Sequence, residues 1–477
     1  MSEPKKIKNK VLRGGIFLTL RQLLSSGLSV VSMLVIARSL GPEKYGIVVT
    51  SIGVLYFLIW TGQMGLNMYL VRQPELKQEE VEQLIAFYNT VGVALCCLMW
   101  IISPLFGLWT GVPEVSIILR WLMPAVWLNM VGDVFISMLS RELRFDQVSL
   151  VDGVSQIANY LLSVPIVLFT GSYWGPLAGI FFQFLIKATW AYTLHPVRLS
   201  LKWQWSYLKK IMSYGIPFFF ASWVQTLRSL TIPLIITPLA GVEAAGIVGV
   251  TLRMVEQLSL LRIVIRRMSI SVMAKLLEDR TAILRAINRG MSYMAILMMS
   301  VCATFACLSP WLIPLLFGAE WVQSTRIFPP IAFAASVTAI FDLHIATLHA
   351  AGKNNSVTFQ NLAYIGLLWL SCWFLIPLFG LWGYAISEII ALPTFYISHR
   401  VFTSLYNSPQ YVNAAWILLM AVPSLVASIL MSPTASFAIL LSSYAILITV
   451  NSDIRNILVE LMSIIRSVKR EKELDFS

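Results

Sequence analysis

The chain has 477 residues, 12% of them charged and 58% hydrophobic, with a mean hydropathy of +0.77 and a formal net charge of +12. That charged share, about half the usual one, leaves too few polar side chains to cover a set of soluble domains of this length, which excludes that class. Apolar runs of roughly 20 residues recur throughout, each long enough to cross about 30 Å of hydrocarbon, whereas a β-barrel would show short alternating segments.

Lys5, Lys6, Lys8, Lys10 and Arg13 precede the first apolar run, over 14–37. That run carries Arg21 and has no small-residue cleavage site, so it is expected to be a retained first helix and not a signal peptide. Further spans are predicted at 46–66, 84–108, 116–139, 153–170 and 174–195, then at 215–237, 246–270, 291–317, 327–350, 357–377 and 381–404. Two more follow at 411–431 and 434–451. The fold class expected is therefore an all-α polytopic membrane protein of about 14 transmembrane helices. Pro165, Pro217, Pro233 and Pro377 lie inside spans and predict kinks. Counted with the N-terminus inside, the inner segments hold 26 Lys and Arg residues and the outer ones only Arg38, Lys44, Arg120 and Arg326. Basic loops stay on the cytoplasmic side, so both termini are expected there, and the charge needs no nucleic-acid partner. Cys96, Cys97, Cys302, Cys307 and Cys372 all fall in apolar segments without CxxC or Cys/His spacing, so neither zinc nor a disulfide is expected.

The stretch Gly41-Pro42-Glu43-Lys44-Tyr45-Gly46-Ile47-Val48 returns 200 residues later as Gly241-Val242-Glu243-Ala244-Ala245-Gly246-Ile247-Val248. Each copy ends the first helix of a half and opens the second, and Trp174-Gly175 and Trp382-Gly383 open the sixth in the same way. Six crossings per half imply two six-helix lobes related by a parallel pseudo-twofold repeat. The expected domains are an N-terminal lobe over 1–195, a linker over 196–214, a C-terminal lobe over 215–405, and two additional helices with a tail over 406–477. In the linker, Leu201, Trp205, Leu208 and Met212 share one helical face beside Trp203 and several lysines, which predicts a cytoplasmic amphipathic helix.

No Walker loop, nucleophile elbow, metal-ligand helix or dinucleotide fingerprint is present, so neither an enzyme nor a cofactor is expected. The informative residues are ionisable groups inside spans, each costing about 3 kcal/mol or more unless it meets a wet cavity or a partner. Five are basic (Arg21, Lys187, Arg228, Arg253, Arg262) and four acidic (Asp133, Glu256, Asp342, Glu388). A guanidinium holds phosphate oxygens bidentately, so a cavity lined by several would suit a pyrophosphate headgroup and repel a cationic drug. The acids are candidates for ion coupling or cavity lining. Each has a plainer alternative: Arg21 can snorkel, Arg253 and Glu256 can neutralise each other at i, i+3, Lys187 can pair with Asp133, and Asp342 can sit in a buried salt bridge.

The opening Ala37-Arg38-Ser39-Leu40-Gly41-Pro42-Glu43-Lys44-Tyr45-Gly46, the Gly65-Leu66-Asn67 before Leu70-Val71-Arg72, and the later Arg144-Phe145, Trp174-Gly175 and Ala351-Gly352-Lys353 resemble Wzx-type polysaccharide flippases. These belong to the multidrug/oligosaccharidyl-lipid/polysaccharide (MOP) exporter superfamily, and the resemblance covers essentially the whole chain. It implies two lobes around a V-shaped cavity and alternating access that carries an oligosaccharide on a polyprenyl (undecaprenyl) pyrophosphate from the inner to the outer leaflet for surface polysaccharide synthesis. It further implies a bacterial cytoplasmic (inner) membrane location, an ion gradient or membrane potential as energy source, and membrane lipids, a polysaccharide polymerase and glycosyltransferases as partners. Arg21, Arg228 and Arg253 would receive the pyrophosphate, with Lys187 and Arg262 in reserve. A peptidoglycan-precursor (lipid II) flippase and a cation-coupled multidrug exporter of the same superfamily remain the alternatives.

Overall fold

The computed structural model describes residues 3–198 and 203–460; side chains are described from Ser25 onward, apart from 214–218, 220–222, 225 and parts of 261–271. All regular structure among the described residues is helical, and eleven helices there are long and apolar enough to cross a membrane. The chain packs as two compact units, Met1–Gly249 and Val250–Ser477.

In the first unit α1 (Glu3–Gln63) takes in both of the first two expected spans and is followed by a short α2 (Asn67–Arg72). Next come α3 (Gln78–Thr110), α4 (Pro113–Arg141), α5 (Phe145–Thr170), α6 (Trp174–Leu194) and α7 (Trp205–Leu227). Helix α4 packs on α3 and α6, and α5 on α6 and α1. Helix α8 (Thr237–Leu258) runs across the boundary. In the second unit α9 (Leu260–Leu276), α10 (Arg280–Leu316) and α11 (Val322–Ala350) pack together. Helix α12 (Asn354–Phe379) turns at Gly380 into α13 (Leu381–Ile390). A 3₁₀ turn at Leu392–Thr394, with Pro393 in it, separates α13 from α14 (Phe395–Leu405). The last two helices, α15 (Val412–Leu430) and α16 (Pro433–Val450), lie against α10.

The repeated motif is repeated in backbone. Gly41 bends α1 at φ 71°, and Gly241 bends α8 at φ 87°, a left-handed region that a Cβ disfavours. Just past each bend the copies meet reciprocally. A Cβ on Gly46 would lie 1.8 Å from the Val242 carbonyl oxygen, and one on Gly246 would lie 2.0 Å from that of Pro42. Only glycine permits this approach. One turn beyond Gly46, the Thr50 and Thr237 hydroxyls are 2.9 Å apart.

Between α7 and α8 the helix loosens into a 3₁₀ turn (Arg228–Leu230) and a π turn (Ile232–Ile236). The cause is local: Pro233 and Pro238 have no N–H, so the carbonyls four residues earlier, of Ser229 and Leu234, lose their helical donors. Both are covered from other helices. Gly53 of α1 packs against the Ser229 carbonyl, and the Trp109 indole donates to that of Leu234 at 3.1 Å.

Leu201 and the expected linker face up to 202 lie partly outside the described residues. From Trp205 the segment is the opening of α7, which runs on without interruption to Leu227. It is fastened to α2 and α3: Lys210 donates to the buried Glu80 at 2.7 Å, Tyr69 donates to the same carboxylate at 2.9 Å, and the Gln204 amide donates to Gln83 at 2.7 Å. Glu80 and Tyr69 thereby hold the Lys210 ammonium well above its ordinary pKa. Trp203 and Trp205 stay exposed, as interfacial anchors do.

Candidate functional site

The ionisable residues singled out in the spans fall into separate constellations. In the first unit α4 and α6 cross closely, because a Cβ on Gly132 would already lie 3.0 Å from the Ala188 Cα. That crossing sets Asp133 beside Lys187, and the two form a short ion pair. Asn129 accepts from Lys187 at 3.3 Å and donates to Asp133 at 3.2 Å. Gln63 of α1 closes the other side of the carboxylate, and Tyr88 of α3 donates to the Gln63 carbonyl at 2.8 Å. The pair is mostly buried, at 15% and 20% side-chain exposure, so its charges are matched where either alone would be costly.

In the second unit Arg262 of α9 grips Asp342 of α11 with two parallel bonds, Nε to Oδ2 at 2.5 Å and Nη2 to Oδ1 at 3.0 Å. Asp342 is buried and the guanidinium is nearly so, the geometry in which a fork-to-carboxylate pair is strongest. Glu388 is also buried; it accepts from Tyr364 and Tyr384, each at 2.5 Å. Arg253 and Glu256 pair at 3.1 Å along one helix but are about half exposed, so water and salt weaken that bond. Arg228 is exposed and opens the 3₁₀ turn where α7 ends. Arg21 lies in α1, and its side chain is outside the described residues.

The structure thus joins Lys187 to Asp133, Arg262 to Asp342 and Arg253 to Glu256. Sequence reasoning missed Gln63, Asn129, Tyr364 and Tyr384; Gln63 and Tyr364 are uncharged partners on other helices with no signal at fixed spacing. Asn129 and Tyr384, each one turn before its carboxylate, were available from periodicity.

A multi-pass helical bundle with two related bends and polar groups inside its units defines the class: a polytopic helical membrane protein with the MOP fold. A lipid II flippase, MurJ, in an inward closed conformation superposes with a TM-score of 0.68 at 14% identity, covering 91% of this chain and 98% of that one. An inward-facing multidrug resistance MATE family transporter of the MOP superfamily gives 0.65 at 14%, covering 86% and 98%. Residues 35–326 match the polysaccharide biosynthesis protein family, and the chain belongs to that family. It is 29% identical over 171 residues to the succinoglycan biosynthesis transport protein ExoT of Rhizobium meliloti (strain 1021), covering 35% of this chain and 34% of that protein. It is 20% identical over 332 residues to the lipopolysaccharide biosynthesis protein WzxC of Escherichia coli (strain K12), covering 66% and 65%. The chain therefore spans about a third of one curated relative and just under two thirds of the other.

Proposed function

We propose that this chain is a flippase that moves an oligosaccharide linked to polyprenyl (undecaprenyl) pyrophosphate from the inner to the outer leaflet of a bacterial inner membrane, by alternating access, for surface polysaccharide synthesis. The observation that carries the reading is the family match over residues 35–326 together with a transporter fold in the same chain. Sugars cannot dissolve in hydrocarbon, so such a cargo needs a polar path while its polyprenyl tail stays in lipid. The domains are proposed as lobes over 1–195 and 215–405, the linker over 196–214, and the additional helices and tail over 406–477, with both termini cytoplasmic. The lipid-linked substrate is the principal partner, and a polymerase and glycosyltransferases would act before and after it.

Lys187 and Arg262 are each neutralised by a carboxylate within their own unit and stay in reserve for the pyrophosphate, which we assign to Arg21 and Arg228. Arg253, whose pair is solvated and easily exchanged, comes next. Asp133, Asp342 and Glu256 then serve as counter-ions to basic residues. The test is complementation of a strain lacking the chain by Arg228→Ala and Arg228→Lys variants. The expected result is loss of surface polysaccharide and accumulation of the lipid-linked repeat unit with Ala, and partial rescue with Lys. Normal polysaccharide with both variants would remove Arg228 from the site. Rescue of a lipid II flippase deletion, or drug efflux without a polysaccharide defect, would favour the corresponding alternative.

A further inference from the structure

The second unit holds a group of titratable side chains that the anion site does not use. Tyr411, just before α15, lies between two histidines: its hydroxyl is 2.8 Å from Nε2 of His344 on α11 and 2.8 Å from Nδ1 of His399 on α14. A phenol has one proton, so it donates to one ring and accepts from the other. Two arrangements follow. In one, His399 donates to Tyr411 and Tyr411 donates to His344; in the other both bonds are reversed. Adding a proton at partly exposed His399 selects the first, which drives hydrogen bonding inward to fully buried His344.

The chain of polar groups continues past His344. Ser398 Oγ and both amide atoms of Gln360 are buried and have no hydrogen-bond partner among the described residues, and His344 Nδ1, also buried, meets only the Ile340 carbonyl one turn back on its own helix. They lie on three packed helices, α11, α14 and α12. The aromatic rings between them are contiguous: Phe341 packs on His344 at 5.2 Å and on Phe395 at 4.9 Å, and Phe395 meets Tyr364 at 5.8 Å. Helices α12 and α13–α14 run antiparallel about Gly380. Gln360 on α12 and Ser398 on α14 each lie about one turn further from Gly380 than the Tyr364–Phe395 contact. Tyr364, one turn along α12 from Gln360, donates to Glu388. Buried polar groups left unsatisfied are costly and are ordinarily completed by water.

We propose that His399, Tyr411 and His344 form the entry of a proton path that runs through the polar gap at Ser398 and Gln360, by way of Tyr364, to Glu388, and that Glu388 is a proton-binding carboxylate. One proton adds at His399. Its Nδ1 proton moves to Tyr411 as the phenol proton moves to His344 Nε2, and His344 releases its Nδ1 proton to water held by Ser398 and Gln360. Tyr364 passes a proton to Glu388 and regains one from that water. The balance is one proton taken up and one carboxylate neutralised.

The other ionisable groups of the packed helices do not compete for this route. On α11, Asp342 is held by Arg262 of α9 and His349 bonds Asn354. Helix α10 contributes Arg280, Arg285 and Arg289, the last paired with Glu460. Helix α9 also carries Arg266, Arg267 and Lys275. Helix α14 contributes Arg400 and Tyr396, and α12 and α15 contain no charged side chain.

The inference rests on the transporter reading, but its test needs no lipid-linked substrate, so the two can fail separately. The full-length protein in a lipid film is stepped to acidic pH, and the carbonyl-stretch band of protonated carboxyls is followed by infrared difference spectroscopy. Glu388→Gln should remove one buried carboxyl from the wild-type difference. Tyr411→Phe keeps the ring but loses the hydroxyl, and should slow the rise of that band about tenfold or more while leaving its final amplitude. His399→Gln should do the same, and it serves as the test if Tyr411→Phe fails to fold. Tyr396→Phe, beside His399 but outside the path, should leave the rate unchanged. A spectrum with no band that depends on Glu388, or a wild-type rate in both His399→Gln and Tyr411→Phe, overturns the proposal.

Discussion

Gly46→Ala tests whether the two copies of the repeated motif are held by direct backbone contact. The added methyl would lie 1.8 Å from the Val242 carbonyl oxygen, and ordinary contact begins near 3.4 Å, so 3.4 less 1.8, or 1.6 Å, must be recovered. The obstacle is backbone and cannot rotate away, so α1 and α8 must separate by about that distance. A gap of 0.5–1 Å already forfeits about a quarter to a half of a dispersion contact. Overpacking of this kind costs about 1–3 kcal/mol. Alanine regains about 1 kcal/mol over glycine in a helix. The net expectation is a loss of up to about 2 kcal/mol. Gly246→Ala, facing the Pro42 carbonyl at 2.0 Å, should lose a similar amount. The double variant should lose less than the sum, because one displacement relieves both clashes. Gly366→Ala is the control, with nothing within 4 Å of its added Cβ. The assay is thermal unfolding of the full-length protein in one detergent. If Gly46→Ala melts with Gly366→Ala or above it, the reciprocal contact does not hold these helices and the argument is wrong.

Asp133→Leu leaves Lys187 without its main counter-charge and should destabilise by about 2–4 kcal/mol, allowing for partial exposure, whereas Asp133→Leu with Lys187→Met should recover most of it; a double-mutant cycle measures the difference. Trp109→Phe removes the donor to the Leu234 carbonyl freed by Pro238 and should cost about 0.5–1.5 kcal/mol in the same melting assay. Asp279 caps α10, and the Ala282 amide and then the Thr281 hydroxyl hold its carboxyl below the usual aspartate range. Its folded pKa is depressed, so its stabilisation is present above the unfolded value and is lost as pH falls through the lower folded one. Asp279→Asn should therefore flatten the acid limb of a stability–pH profile while changing little at neutral pH.

Much of the bundle was legible because hydrophobic length and glycine conformation are local properties. The apolar runs marked the spans, and the Gly41/Gly241 pair announced two equivalent bends. The Arg253–Glu256 pair was legible for the same reason, since i, i+3 neighbours meet on any helix. Lys187 and Asp133 were weighed as partners, but nothing in their spacing required it; the close passage of Gly132 along Ala188 does. Pro233 predicted a kink, while the groups that cover the carbonyls freed by Pro233 and Pro238, Gly53 and Trp109, come from helices far away in sequence.

Composition and periodicity alone determined that this chain is a helical membrane protein with basic and acidic groups placed inside its spans, because lipid admits only segments that satisfy their own backbone. Which of those charges meet was decided only by the tertiary structure. Arg262 finds Asp342 across 80 residues, and Tyr411 joins His344 and His399 through two hydrogen bonds. Such hydrogen bonds and ion pairs depend on which helix faces pack together, and an apolar face of the right length fits many neighbours equally well until close packing selects one.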